Sequence, residues 1–370
     1  MGGVVEPLRI GLVGLGTMGR GHLEKSRDLV DARIVAVADI VDRAVAEAKE
    51  KYDVVGFGGH QEMIDSGTIE AILIATPHPF HAPIAIYAAQ RHVHVLVEKP
   101  IAVTVAEADR MVAAARASGI TLGVMFQLRT DGLYRRAKEI IESGALGDIY
   151  RTTLIASAWY RTQAYYDSGA WRGTWRDEGG GVVMNQAPHS LDMFTWLGGR
   201  PSRVVARAWT RGHRVEVEDT VSSLIEYPNG ATGYLYTTTA EWPGENRFEF
   251  IGTRGKLVIL DDTIRLYRLD RPLGEEIQTG AHWGKPTGAW EDIPVERGNW
   301  GHAEVTRRFA RAVRSGEPLV AQGDDGVAAL ELANALLLSG FRRVPVDLPL
   351  DRGAYDAFLE EMRAGVGARR

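Results

Sequence analysis

Short, almost wholly apolar stretches punctuate the first third of the chain, at residues 8–13, 33–38, 71–75, 92–97 and 120–126. A brief apolar run closed by turn residues reads as a strand buried on both faces. Segments of helical periodicity lie between them: from the loop after Val13 to about Leu29, Asp42 to about Lys51, then residues 61–65, 82–90 and 103–118. A strand or turn falls near residues 54–57. Asp42 is expected to cap its helix, and Thr104 with Glu107 has the spacing of a capping box closed by Gly119. Strand–helix units repeated in this way predict a doubly wound parallel sheet.

The texture changes after about residue 130. A helix over 133–142 is followed by strand-like runs at 150–159, 202–209, 220–227, 231–238, 247–252 and 256–260. Turn signals such as Pro228-Asn229-Gly230 join them as hairpins, which predicts a mostly antiparallel sheet. Helices return at 300–314 and 325–338. The fold class is therefore α/β: a doubly wound domain over residues 1–128, then an α+β domain with an open, mostly antiparallel sheet over 129–370. The C-terminal helices are candidates to pack back on the first domain.

At 370 residues the chain exceeds what one small core organises, which agrees with two domains. A net charge of −5, with no long basic run, argues against nucleic acid and anionic membranes as partners. The absence of cysteine excludes disulfides and thiolate nucleophiles and is compatible with a cytoplasmic location. The first ten residues lack the basic and apolar regions of a signal peptide, and no apolar run is long enough to span a membrane.

Candidate chemistry begins at Gly14-Leu15-Gly16-Thr17-Met18-Gly19, a GxGxxG with a strand before it and a helix after it. Gly14 would make the turn, Gly16 would admit a pyrophosphate, and Gly19 would let helix and strand close up. The phosphates would rest on the amides of Thr17 and Met18 at the helix start. Asp39 follows the second strand, 20 residues beyond Gly19, where a carboxylate accepts from ribose hydroxyls and repels a 2′-phosphate. That favours NAD over NADP in a Rossmann-type domain. Thr76, Pro77, His78 and His81 form a strand-end loop placed to cover the nicotinamide half, although His78 alone reads more simply as a backbone-bonded imidazole. Glu98-Lys99-Pro100 closes the 92–97 strand, so Lys99 emerges at the ligand end of the sheet, and the peptide before Pro100 is open to either isomer.

In the second half, Gly179-Gly180-Gly181 leads into a helical stretch carrying Asn185 and His189, four residues apart. Pro188 falls in a first turn or at a kink. A histidine suits alcohol–ketone interconversion, while the plainer reading of His189 is a helix residue bonded to Asp192. Trp159, Tyr160, Arg161, Tyr165, Tyr166, Trp171, Arg172, Trp175 and Arg176 gather just upstream, which fits a polyol pocket or an oligomer interface.

These stretches, together with Gln127-Leu128-Arg129 and residues 317–335, resemble the glucose–fructose oxidoreductase/inositol dehydrogenase (Gfo/Idh/MocA) family along nearly the whole chain. The resemblance implies a Rossmann domain followed by a domain whose open sheet packs on another subunit, giving a homodimer or homotetramer. It implies Lys99 as the lysine contacting substrate and cofactor and His189 as general acid/base, with Glu98 in the cofactor site. Arg129, Tyr160, Tyr166, Trp175, Asn185 and His189 are the candidate substrate contacts. Asn185 stands where cyclitol dehydrogenases of the family carry aspartate, and His78 where asparagine is common. The function implied is NAD-dependent oxidation of a secondary hydroxyl of a sugar, glycoside or cyclitol. Alternatives are a glycoside hydrolase or epimerase holding NAD tightly, and a non-catalytic NAD-binding regulator. No metal is expected.

Overall fold

The computed structural model describes residues 6–365. The start of the chain, on which the signal-peptide reading partly rests, lies outside them through residue 5. The chain divides into two compact units: residues up to Thr130 with Asn299–Leu330, and Asp131–Gly298 with the residues from Glu331 onward.

The first unit is built on six parallel strands, β1 (Leu8–Val13), β2 (Ala32–Ala38), β3 (Val55–Phe57), β4 (Ala71–Ile74), β5 (His94–Val97) and β6 (Leu122–Val124). Their order is β3-β2-β1-β4-β5-β6. The order reverses between β1 and β4, and ligands of such sheets sit outside the strand C-termini at that reversal. All four residues of β4 are buried, which explains its uninterrupted apolar sequence. The helix His302–Ser315 adds Val305, Phe309 and Ala310 to the core formed by Leu8, Ile10, Leu73 and Leu96. Phe309 is fully buried, a change worth about 1.5–3 kcal/mol for a side chain of its class. A segment about 300 residues downstream of β1 thus belongs to this unit.

Local capping follows the sequence closely in one place and departs in another. Thr104 and Glu107 form both halves of the capping box before Val105–Ser118, and Gly119 ends that helix at φ 66°. Asp42, expected as a cap, is instead the first residue of Asp42–Lys51, whose N-cap is Val41. The Val41 amide donates to Asp39 Oδ1 at 2.9 Å, and no side chain caps the helix. The helix after the glycine loop spans Thr17–Lys25, ending earlier than Leu29.

The second unit holds a nine-stranded sheet of β7 (Ile149–Ala156), β8 (Arg203–Trp209), β9 (Thr220–Glu226), β10 (Thr232–Thr238), β11 (Asn246–Gly252), β12 (Gly255–Leu260), β13 (Thr263–Leu269), β14 (Gly288–Ile293) and β15 (Val346–Asp347). The order is β14-β13-β12-β11-β7-β10-β9-β8-β15, antiparallel throughout except for the parallel β7–β10 pair. One face buries Leu154, Leu235, Phe248, Phe250, Leu257 and Leu266. The helix Gly132–Glu142 brings Tyr134 edge-on to Phe248 at 5.9 Å. The helix Pro188–Gly198 packs so tightly that a Cβ on Gly198 would lie 3.1 Å from Phe250.

The opposite face, the one open to a subunit contact, carries apolar and charged side chains together. Leu224 and Tyr234 are exposed there as direct cross-strand partners, but further along the sheet Glu249 pairs with Arg247 at 2.8 Å and with Lys256 at 3.0 Å. The alternation along each strand places polar side chains outward, so the surface is mixed. Among the described residues, no helix is long and apolar enough to cross a membrane.

Candidate active site

Two sets of side chains answer to the expected chemistry, one in each unit. In the first unit, Gly14 turns at φ 92°, and a Cβ there would lie 2.7 Å from the Ala75 carbonyl oxygen. A Cβ on Gly19 would come within 1.8 Å of the Gly14 oxygen, so only glycine lets the helix close on β1. A Cβ on Gly16 would meet nothing within 4 Å, leaving open space beside a helix start that has no side-chain cap. Asp39 is held at the end of β2 by the Leu15 amide, which donates to Oδ2 at 2.6 Å. Thr76 Oγ1, at the end of β4, is buried without a hydrogen-bond partner. An uncapped helix start with room in front of it, an anchored carboxylate and an orphaned hydroxyl fit a dinucleotide.

Lys99 follows β5 directly and is half-buried, with a cis peptide to Pro100. The residues behind it are more firmly tied. Glu98 is 5 % exposed, and its Oε1 lies 2.7 Å from His22 Nε2 and 3.9 Å from His302 Nε2. Burial alone would push the Glu98 carboxyl up. The hydrogen bond from His22 and the charges of His22, Lys99 and His302 reverse this and hold it at about 2. Burial lowers His302 to about 4. His22, Glu98 and His302 are close enough to surround a small cation. A separation of 2.7 Å is a hydrogen bond, however, since two tetrahedral ligands at about 2.0–2.2 Å from zinc stand more than about 3 Å apart.

His81 and Arg129 fall differently from expectation. His81 is fully buried, and its ring nitrogens lie 2.9 Å from the carbonyls of Pro100 and Thr76, so it ties two loops together and does not face a ligand. His78 is also buried, in a short 3-10 turn. Arg129 is 7 % exposed and pairs with Asp325 at 3.2 Å within the unit, so its guanidinium is drawn into a structural ion pair. Pro77 is exposed beside Thr76.

In the second unit the glycine triplet is held by Glu218, which is fully buried. Gly181 and Val183 donate amides to its carboxylate at 2.9 and 3.1 Å, and a Cβ on Gly181 would collide with the Glu218 carbonyl oxygen. Burial pushes the Glu218 carboxyl up to about 8 despite these donors. The short helix Val182–Asn185 follows, and Pro188 opens Pro188–Gly198 at its first position. Gln186 and Ala187 keep right-handed helical torsions between the two, so Asn185 and His189 share a face. Both are half-buried. Asn185 Nδ2 donates to Glu178, a carboxylate 1 % exposed that also accepts the Gly173 amide at 2.6 Å.

The aromatic cluster splits. Trp175, expected at a substrate, is a core residue: it is 1 % exposed, packs on Phe341 and Phe358, and donates Nε1–H to the Glu216 carbonyl. Tyr166 is likewise buried, its hydroxyl 2.9 Å from Thr239 Oγ1. Tyr160 is exposed. Tyr165 is the residue that meets the helix region, since its hydroxyl accepts from Gln186 Nε2 at 3.1 Å and from Arg172 at 2.6 Å. Glu178, Glu218 and Gln186 were not singled out from sequence, although Glu178 directly precedes the glycine triplet.

One unit carries a six-stranded parallel sheet of the dinucleotide-binding type and the other a nine-stranded open sheet. Residues 8–126 match the oxidoreductase family, NAD-binding Rossmann fold, and residues 134–258 match the GFO/IDH/MocA C-terminal domain. The chain belongs to the Gfo/Idh/MocA family. It is 25 % identical over 338 residues to myo-inositol 2-dehydrogenase of Thermotoga maritima, covering 89 % of this chain and 95 % of that protein. It is 28 % identical over 391 residues to levoglucosan dehydrogenase of Pseudarthrobacter phenanthrenivorans, covering 93 % of this chain and 99 % of the relative. Among solved structures, the WlbA dehydrogenase of Bordetella pertussis in complex with NADH and UDP-GlcNAcA superposes with a TM-score of 0.79. That match is 28 % identical and covers 94 % of this chain and all of the other.

Proposed function

We propose that the protein is an NAD-dependent dehydrogenase acting on a secondary hydroxyl of a sugar, glycoside or cyclitol. The observation that carries this reading is the pairing, in one chain of this family, of an anchored Asp39 beside an open glycine loop with a Lys99 at the end of β5 and a His189 on the helix after the glycine triplet. Relatives named for inositol and levoglucosan support the substrate class.

The amides of Thr17 and Met18 and the space over Gly16 would hold the pyrophosphate, and Asp39 would accept from the adenosine ribose hydroxyls and disfavour a 2′-phosphate. NAD, when bound, supplies a hydride acceptor for the carbinol carbon. Lys99 donates to the substrate oxygen and stabilises negative charge developing there. His189 takes the hydroxyl proton. Asn185 holds a substrate hydroxyl, and the exposed Tyr160 offers an aromatic face to a sugar ring. Trp175, Tyr166, Arg129 and His81 act as supports for these residues. The mixed outer face of the nine-stranded sheet serves a homo-oligomer.

A screen of sugars and cyclitols for NADH formation by absorbance tests the reading. A dehydrogenase needs one equivalent of added NAD per turnover. Substrate conversion without added NAD would point to a hydrolase or epimerase, and NAD binding without conversion of any alcohol would point to a regulator.

A further inference from the structure

Asn185 does not stand alone on its helical turn. Its Nδ2 donates to Glu178, and Glu178 is buried and anchored on its other oxygen by the Gly173 amide. An ionised carboxylate only accepts, so the Asn185 amide is fixed with Nδ2 toward Glu178 and its oxygen turned away. A bond from an amide to a charged acceptor is roughly twice as strong as a neutral one and leaves the amide oxygen more polarised. His189 lies on the same helical face, four residues on.

We propose that Glu178 is a positioning residue, whose buried carboxylate orients and polarises Asn185 so that the Asn185 oxygen, and not its amide hydrogens, is presented on the His189 face to a substrate hydroxyl. This rests on the dehydrogenase reading above. It assigns Asn185 as an acceptor for a hydroxyl hydrogen and makes the identities at 178 and 185 interdependent. An aspartate at 185 would put two carboxylates on one contact, where like charges cannot both ionise. Glu218 nearby is already pushed up by its burial and, in smaller part, by the charge of Glu178, so it offers a new carboxylate at 185 no counter-charge. Asn185→Asp is therefore not a neutral return to an acidic residue.

The experiment compares Glu178→Gln, Asn185→Asp and the double variant Glu178→Gln/Asn185→Asp in the full chain. It reads kcat and KM for an alcohol the wild type oxidises, NADH affinity by fluorescence, and the thermal midpoint. Asn185→Asp should lower kcat by about 30-fold or more, and the double variant should recover to within about fivefold of wild type, a coupling only interacting residues show. Glu178→Gln should lower kcat by about tenfold with NADH affinity unchanged. A double variant no better than Asn185→Asp, or a Glu178→Gln with wild-type kcat, overturns the proposal. Glu178 would then be only a tether for Gly173. If Asn185→Asp does not fold, the Glu178→Gln kcat decides alone. If the wild type oxidises no alcohol, the dehydrogenase reading fails. The pairing is then read from thermal midpoints, where a double variant melting no higher than Asn185→Asp rejects it.

Discussion

Replacing Glu98 by glutamine tests how the residue beside Lys99 is held. Glu98 is buried, yet its carboxyl is held at about 2 against an ordinary 4.5, because the His22 bond and neighbouring charges outweigh desolvation. A folded value below the unfolded one means the ionised group stabilises the fold above pH 4.5, and this contribution is lost as pH falls toward 2. The separation corresponds to about 3 kcal/mol at neutral pH. Near pH 4 the unfolded chain already binds most of a proton at this site, which removes roughly 1 kcal/mol of it. His302 titrates in the same window, so both proteins should carry His302→Gln. Native-state hydrogen exchange at Leu96 and Val97 reads the opening free energy of β5 locally, which suits a chain of two units. Glu98→Gln should lower it by about 3 kcal/mol at pH 7 and by about 2 kcal/mol at pH 4. A loss under about 1 kcal/mol at pH 7, or one that widens on acidification, would refute the reasoning.

Three further outcomes follow from the same geometry. Asp39→Ala should weaken NAD binding and narrow its advantage over NADP, as the ribose acceptor and the repulsion of a 2′-phosphate are lost together; tighter NADP than NAD binding in the wild type would sink the assignment. Gly19→Ala should lower the thermal midpoint and abolish NADH binding, because its Cβ would collide with the Gly14 oxygen, whereas Gly16→Ala should keep the wild-type midpoint and lose only NADH affinity. The exposed Leu224 sits on the outer face of the nine-stranded sheet, so Leu224→Glu should shift a light-scattering mass from a multiple of 40.6 kDa toward that value; a wild type already at 40.6 kDa would exclude the oligomer.

The legible parts of this chain are those set by local chemistry. The glycine loop, the Thr104 capping box and the apolar strands of the first sheet each rest on residues within a few positions of one another, and the structure forms them. Contacts decided by distant partners were less visible. The strand Gly288–Ile293 buries only one of its six positions and shows no alternation, and Val346–Asp347 is too short to announce itself. The helix Arg352–Arg363 is a local feature by contrast, with an Asp351 cap and Tyr355, Phe358, Leu359 and Met362 buried at helical spacing. Spacing brought Trp175 and Tyr166 into an aromatic cluster but could not say that they face the core, because Phe341, Phe358 and Thr239 lie more than 70 residues further along. Glu178 was hidden for another reason: a lone acid before glycines reads as a loop residue until its burial and its bond to Asn185 are seen.

The central claim is that Lys99 and His189 do the proton and charge work of an NAD-dependent alcohol oxidation. Its most direct measurement is NADH formation by wild type, Lys99→Ala and His189→Ala across a panel of sugars and cyclitols, with NADH affinity followed in parallel. The wild type should form NADH with at least one of them. Each variant should lose roughly 10²–10⁴-fold in kcat while binding NADH as before, since the pyrophosphate and ribose contacts lie at Gly14 to Gly19 and Asp39. A His189→Ala variant that keeps near wild-type kcat on every substrate would contradict the account.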